Sequence, residues 1–267
     1  MGIADAIALG QYLPRDSALH RLDPRTKILA AVGGTVVLFF VPAFAGLALA
    51  AAGVAALLVI GRIPLGYALR GLRPLVILIA LTAVLNAFFA PAGGREVLRL
   101  GPLIATEGGL RNAAFVGLRL VVVVALASLL TFTTSPVELT DGLERLLRPL
   151  RRLGVPAHEL AMMMTIALRF IPTLLEETDR IMKAQMARGA DFDSGGVTRR
   201  LRALIPVLVP LLVSAFRRSE DLALAMEARC YRGGAGRTRM HELRWRAADV
   251  VALAIVAVAA ALLLRVR

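Results

Sequence analysis

Residues 117–132 read GLRLVVVVALASLLTF, and this stretch decides the class of the protein. Together with its flanks (110–133) it supplies the about 20 apolar residues that a helix needs to cross a bilayer. The whole chain of 267 residues is 58% hydrophobic, with a mean hydropathy of +0.72, which is well above the composition of soluble domains. Aromatic residues make up only 5%, whereas β-barrels carry aromatic girdles. The sequence therefore predicts an all-α integral membrane protein.

Other apolar runs extend this prediction to about five transmembrane helices. The runs cover residues 28–44, 46–60, 72–89, 110–133 and 247–264. They divide the chain into an N-terminal arm (1–27), four spans (28–133), a polar domain (134–246) and a C-terminal span (247–267).

Charge predicts the orientation of these spans. The arm and the connection at 61–73 are rich in arginine, whereas the connection at 43–46 carries no charge. Because Lys and Arg concentrate on the cytoplasmic side, the N-terminus is expected in the cytoplasm. The same rule accounts for the net charge of +13 without nucleic acid, for which no basic module with interleaved aromatic residues is present.

The polar domain contains 19 of the 32 Lys and Arg residues and 13 of the 19 Asp and Glu residues. Three helices are predicted in it, at 136–153, 157–188 and 197–229, the first with Ser135 as N-cap and Pro136 in the first turn. Two apolar stretches, 160–175 and 201–216, are short and contain Arg and Pro, so we expect them to lie along or under the membrane. The alternative, a protein with seven spans, would place the basic segment 176–202 outside.

Two of these helices end in similar sequences. One reads AQMARGAD and contains Ala187, Arg188 and Gly189; the other reads AMEARCYRGG and contains Ala228, Arg229 and Cys230, 41 residues later. A single arginine in a last helical turn is explained by the helix dipole. Two small-Arg-small ends indicate more: small neighbours allow close approach, and two equivalent ends suit a partner with two equivalent sites.

Catalysis is not expected. The single cysteine excludes a cysteine metal cluster, the three histidines are scattered, and no P-loop or nucleophile motif occurs, so neither a metal nor a cofactor is predicted. Arg119 is the one clearly internal ionisable residue of the predicted spans, which argues against a secondary transporter with its own proton or sodium pathway. The residues alone predict a membrane scaffold with a cytoplasmic helical platform.

Three segments carry a resemblance to a known family. They are YLPRDSALHRLDPRTKI (12–28), LRFIPTLLEETDRIMKAQMARGADF (168–192) and RRSEDLALAMEARCYRGG (217–234). In combination with the paired arginine motifs, they resemble the transmembrane T component of energy-coupling factor (ECF) importers of prokaryotes, over essentially the whole chain.

The resemblance implies a non-catalytic coupling subunit in the prokaryotic plasma (inner) membrane. Its implied partners are two cytoplasmic ABC ATPases, a membrane-embedded substrate-binding S component and membrane lipids. The implied ATPase-docking residues are Ala187, Arg188, Gly189, Ala228, Arg229 and Cys230. The S component would choose the vitamin or metal, so the substrate is not readable from this chain, although the arm resembles the type that serves several S components.

Cys230 departs from the family pattern, which has glycine at that position. Since cysteine tolerates positive φ less well, the helix is expected to end slightly later, at 231–234. Pro172, Pro206 and Pro210 are predicted to kink the two long helices, either as hinges or simply as shape. Glu220 and Asp221 are expected to pair with Arg217 and Arg218 on the same helix. Two other functions stay open, a membrane scaffold or anchor and a secondary transporter.

Overall fold

The computed structural model describes residues 12–64, 66, 67, 71, 76–89, 96–100, 103–192, 196–233 and 245–265. Within them the chain is predominantly helical, which confirms the predicted all-α membrane class. The helices are α1 (Pro24–Phe40), α2 (Phe44–Ile60), α3 (Val76–Phe89), α4 (Glu107–Thr133), α5 (Pro136–Leu147), α6 (Ala157–Ala187), α7 (Val197–Ala228) and α8 (Ala247–Arg265). They form two compact units, one with α1–α4 and α8, the other with α6 and α7, and the boundary falls within α5 at residues 143 and 144.

Among the described helices, three are long and apolar enough to cross a membrane, namely α4, α6 and α8. The helices α2 and α3 are apolar but shorter. By this measure α6 qualifies as a span, although its sequence favoured a position along the membrane, whereas α7 does not.

The core of the first unit lies where α1, α2 and α4 meet. Phe132 of α4 and Leu47 of α2 are fully buried, and Leu38 of α1 is 3% exposed. Much of the remaining apolar surface faces outward, as expected for helices solvated by lipid rather than water. Three of the five predicted apolar runs therefore meet in this core.

The first helix begins earlier than its apolar run. Asp23 is its N-cap, and its Oδ1 accepts a hydrogen bond from the Arg25 backbone N–H at 2.9 Å. Pro24 occupies the first helical position, where its missing N–H costs nothing. The Asp-Pro pair thus starts α1 four residues before the predicted residue 28.

One buried carboxylate joins the last helix to the first. Asp249, in the first turn of α8, is 1% exposed. Its Oδ1 accepts the backbone N–H of Asp23 at 2.7 Å, and its Oδ2 accepts the backbone N–H of Arg246 at 2.9 Å. In the first turn of α1, the ammonium group of Lys27 donates a hydrogen bond to the backbone carbonyl of Thr133, with 2.8 Å between Nζ and the oxygen. These bonds connect the starts of α1 and α8 to the end of α4.

Arg119, the internal arginine of the predicted spans, has a structural role. Its Nη2 donates to the carbonyl of Val41 at 2.7 Å, directly after the last residue of α1. Its guanidinium carbon lies 4.6 Å from the centre of the Phe115 ring. A cation at the carbonyl end of a helix is stabilised by the helix dipole. The charge therefore caps α1 within the unit.

The connection between α3 and α4 holds a feature that the sequence analysis did not predict, a two-stranded antiparallel hairpin. The strands are β1 (Glu96–Leu100) and β2 (Leu103–Thr106). Two short apolar runs separated by Gly101 and Pro102 were the available signal. Pairing satisfies the backbone N–H and C=O groups that the two strands direct at each other.

The helix predicted at 136–153 is shorter than expected. Its N-terminus is a full capping box: Ser135 Oγ accepts the Glu138 N–H, and Glu138 Oε2 accepts the Ser135 N–H. The α-helical part ends at Leu147, and a 3-10 helix covers Arg148–Leu153. Pro149 explains the change, because it lacks an N–H and disfavours α-helical geometry in the residue before it.

Candidate functional site

The first arginine motif forms a complete helix terminator. At the end of α6 the N–H of Gly189 donates to the carbonyl of Met186 at 2.9 Å, and the N–H of Ala190 donates to the backbone carbonyl of Gln185 at 3.0 Å. This pair of bonds is a Schellman motif, which requires a left-handed residue after the cap. Gly189 supplies it with φ +87°, and Arg188 is the cap residue itself.

The second motif repeats this geometry. At the end of α7 the N–H of Cys230 donates to the backbone carbonyl of Glu227 at 2.8 Å, and the N–H of Tyr231 donates to the carbonyl of Met226 at 3.0 Å. Arg229 is the cap residue, with φ −91° and ψ 15° against −89° and 7° at Arg188. The expectation of a later end at 231–234 is wrong, because Cys230 itself adopts the left-handed conformation with φ +56°.

Both motifs are accessible. Ala187, Arg188 and Gly189 are exposed, and so are Ala228, Arg229 and Cys230. Within the described residues neither arginine side chain has an ion pair or hydrogen bond. Each helix end therefore presents a free guanidinium beside small residues, which suits bidentate recognition of a carboxylate on another protein.

The left-handed cysteine predicts a stabilising substitution. Cys230→Gly removes the steric cost of a side chain at φ +56°, which is about 1 kcal/mol. We expect hydrogen exchange of the amides at 230 and 231 to slow about fivefold, because the helix end opens less often. Gly189→Ala is the matched opposite change: no atom lies within 4 Å of an added Cβ, so faster exchange at 189 and 190 would report strain alone. Unchanged exchange in Cys230→Gly would contradict this account.

The helices that carry the two motifs are antiparallel. Near the end of α6, Gln185 Nε2 donates to the carbonyl of Pro206, early in α7. About two turns earlier on α6, Glu177 accepts hydrogen bonds from Ser214 and Arg218, farther along α7. As the residue number rises on one helix, that of its partner falls on the other. The two arginine ends therefore point away from each other, at opposite ends of the pair.

The two ends lie at equivalent chain positions relative to one contact between the helices. The offset of 41 residues between the motifs also relates Glu177 to Arg218. These two residues form an ion pair, with 3.0 Å between Glu177 Oε2 and Arg218 Nη2. In an isologous pair, a residue that contacts its own equivalent lies beside the twofold axis. Arg188 lies 11 residues after Glu177, and Arg229 lies 11 residues after Arg218. Eleven residues extend over about 16 Å of helix at about 1.5 Å per residue. The helices α6 and α7 thus present two similar cationic ends at equal chain distances from one contact, as a local twofold arrangement requires.

The ion pair between α6 and α7 corrects one prediction and adds a site residue. Arg218 pairs with Glu177 on the other helix, not with Glu220 or Asp221 on its own. The sequence offered a signal that was missed: aligned at the offset of 41, an acidic residue falls on a basic one. Glu177 and Arg218 therefore fix the crossing from which the two ends extend.

The second end is also held by side chains. Tyr231, directly after Cys230, places its hydroxyl 3.5 Å from His158 Nε2 at the start of α6. The Nδ1 of His158 lies 3.1 Å from Glu144 Oε1 in α5. This chain of contacts connects the end of α7 to α5, the helix that follows the last residue of α4 by a two-residue link.

The prolines predicted to kink the two long helices, as hinges or simply as shape, lie inside those helices. Pro172 is internal to α6, and Pro206 and Pro210 are internal to α7. Each removes one backbone hydrogen-bond donor and leaves a carbonyl one turn earlier without its usual partner. A hinge role for these prolines stays a prediction.

None of the described His, Cys, Asp and Glu residues cluster as a metal site.

Comparison with known proteins gives a consistent family. The family model CbiQ, described as cobalt transport protein, matches residues 15–242. The energy-coupling factor transporter transmembrane protein EcfT of Thermosediminibacter oceani is 59% identical over 246 residues, 92% of each chain. EcfT of Thermanaerovibrio acidaminovorans is 54% identical over 99% of this chain and 97% of its own, and EcfT of Listeria innocua is 48% identical over 98% and 99%.

Proposed function

Because this chain belongs to the CbiQ/EcfT family of energy-coupling factor transporter transmembrane proteins, we propose that it docks two ABC ATPases through its paired arginine ends. The ATPases bind and hydrolyse ATP, and α6 and α7 transmit their movement to a membrane-embedded, substrate-binding S component. This chain itself is non-catalytic. It lies in the prokaryotic plasma membrane as a multi-pass protein with its N-terminus and the residues 134–246 in the cytoplasm.

One observation carries this proposal, the equivalence of the two ends. Arg188 and Arg229 share the cap position of the same terminator, both are exposed, and both are unpaired within the described residues. A twofold pair of ATPase subunits offers the same groove twice, and two ends related by a local twofold can enter both grooves. A scaffold that holds one asymmetric partner has no need for this repetition.

Copurification tests the proposal directly. The chain, solubilised from its native membrane in mild detergent, is isolated through an affinity tag and its partners are identified by mass spectrometry. We expect two ABC ATPase subunits and one small membrane protein per chain. Repeated absence of ATPases under conditions that retain the membrane partner would exclude the coupling function and favour a simple anchor.

The apolar side of α7 supports an S component as the membrane partner. Eight exposed apolar residues follow helical spacing along one face: Leu201, Leu204, Ile205, Leu208, Val209, Leu212, Val213 and Phe216. Such a face is covered in a stable assembly. A membrane-embedded partner presents apolar helices that match it, and the chain from Leu204 to Phe216 carries no charged residue, which allows the partner to slide along this part of the stripe.

A charge in the centre of this stripe is expected to release the S component. Leu212, 56% exposed, lies mid-stripe, and Leu212→Arg removes about 2 kcal/mol of apolar burial and adds an unpaired charge. We expect at least about thirtyfold weaker retention of the S component in quantitative copurification, with ATPase retention unchanged.

Arg199→Glu provides the matched control for this change, since Arg199 is exposed in the first turn of the same helix, before the stripe begins. Equal loss of the S component in both variants would mean that the charge of α7, not its apolar face, determines binding.

A further inference from the structure

The 3-10 helix Arg148–Leu153 has a surface that neither the fold nor the docking function uses. A 3-10 helix has three residues per turn, so residues i and i+3 lie above one another. Leu150 and Leu153 therefore share one edge, Arg148 and Arg151 share the next, and Arg152 lies on the third. Both leucines are exposed, Leu153 to 79%, and so are all three arginines.

Charge indicates what this segment meets. No acidic residue lies between Glu144 and Glu159, and within the described residues none of the three arginine side chains has an ion pair or hydrogen bond. Exposed leucines flanked by arginines on both sides are the pattern of interfacial segments, in which apolar side chains enter the acyl region and arginines contact headgroup phosphates.

The chain keeps this segment close to the bilayer. Only Thr134 and Ser135 separate α5 from α4, a helix long and apolar enough to span. The twelve residues of α5 extend over about 18 Å at most. The 3-10 helix follows at once, so it lies within a short tether of the end of a predicted span.

We propose that Arg148–Leu153 binds the acidic phospholipids of the cytoplasmic leaflet, with Leu150 and Leu153 inserted between headgroups whose phosphates are contacted by Arg148, Arg151 and Arg152. This surface goes beyond the docking function and does not depend on it. It would hold the start of α6 at the membrane surface while the two arginine ends move with their partners.

Tryptophan quenching in lipid nanodiscs tests the proposal. Leu153→Trp is made in a Trp245→Phe background, which leaves one tryptophan, and the full chain is placed in discs of phosphatidylcholine and phosphatidylglycerol without any ATPase. We expect phosphatidylcholine with brominated acyl chains to quench the fluorescence, and the quenching to fall at high salt, where the Debye length shrinks to about 3 Å at 1 M.

Charge variants distinguish lipid binding from simple exposure. Each arginine near an acidic surface is worth about fivefold in partitioning, so Arg148→Gln, Arg151→Gln and Arg152→Gln together weaken it roughly a hundredfold and abolish the quenching. The matched Arg→Lys triple variant keeps the charge and keeps the quenching.

Three results would overturn the proposal. They are an absence of bromine quenching, equal quenching in the Gln triple variant, and protection of the tryptophan from aqueous quenchers only when ABC ATPases are added. The last result would assign the surface to a protein partner. Because the bromine-quenching measurements use discs that contain this chain alone, failure of ATPase docking in the copurification experiment leaves them unaffected.

Discussion

The double variant Arg188→Glu/Arg229→Glu is expected to lose both ABC ATPases. Each arginine is an exposed cap residue with no partner in the described part of the chain, and each would bind a carboxylate of one ATPase subunit. Arginine anchors of this kind cost about 2–4 kcal/mol when removed, and reversal adds repulsion. Both sites together therefore lose at least about a thousandfold in affinity, measured by quantitative copurification and by ATP-driven uptake in proteoliposomes.

The single reversals test the equivalence of the ends. Because the two ends bind one ATPase pair simultaneously, loss of either removes an avidity gain of about 10²–10⁴. We expect Arg188→Glu and Arg229→Glu to weaken binding to a similar extent, since the cap geometries match. A large difference between them would contradict the twofold argument while leaving docking itself intact.

Two further variants separate charge from geometry. Arg217→Glu makes the same charge change at an exposed position of α7 away from its end, and should leave the ATPases bound. Lysine at both docking positions keeps the charge but loses the planar fork, so partial binding is expected. ATPases retained in the double reversal would show that the arginines only cap their helices.

Sequence was a good guide to α6 and α7 because the signals there are local. The predicted ends at 188 and 229 lie one residue beyond the observed ends at Ala187 and Ala228. Small residues after an arginine, together with the apolar and charged periodicity, mark a helix end without reference to the rest of the chain. The error in these ends, the expected later end at 231–234, came from the steric preference of cysteine, which the two Schellman hydrogen bonds at Cys230 and Tyr231 outweigh.

Pairings between distant residues were beyond the sequence argument. Local spacing favoured ion pairs of Arg218 with its own helix, but the antiparallel packing of α6 brings Glu177 to it instead. Likewise the sequence shows Asp249 only as a carboxylate near the start of the last apolar run. Its partner, the backbone N–H of Asp23, lies 226 residues away and carries no side-chain signature. Tertiary contacts of backbone groups cannot be read from residue types.

The second large effect is expected at Asp249. Asp249→Ala removes the acceptor of two N–H groups, the buried one of Asp23 and the part-buried one of Arg246. Hydrogen bonds to a charged group contribute about 1.5–3 kcal/mol each, so we expect the free energy of unfolding to fall by about 3–5 kcal/mol. Unfolding of the detergent-solubilised protein by heat or denaturant, followed by circular dichroism, measures this change. Exchange of the Asp23 and Arg246 amides should accelerate with it.

Asp249→Asn decides which property of the side chain matters. The amide keeps the size and one acceptor oxygen but lacks the charge and the second acceptor, so about half the loss is expected if the hydrogen bonds dominate. A loss as large as that of alanine would assign the effect to the negative charge at the N-terminus of α8, where the helix dipole favours it. Glu220→Ala, an exposed acidic residue of α7, should change stability by no more than about 0.5 kcal/mol. If alanine at 249 is equally mild, the connection between the first and last helices rests on their apolar packing, and the carboxylate is dispensable.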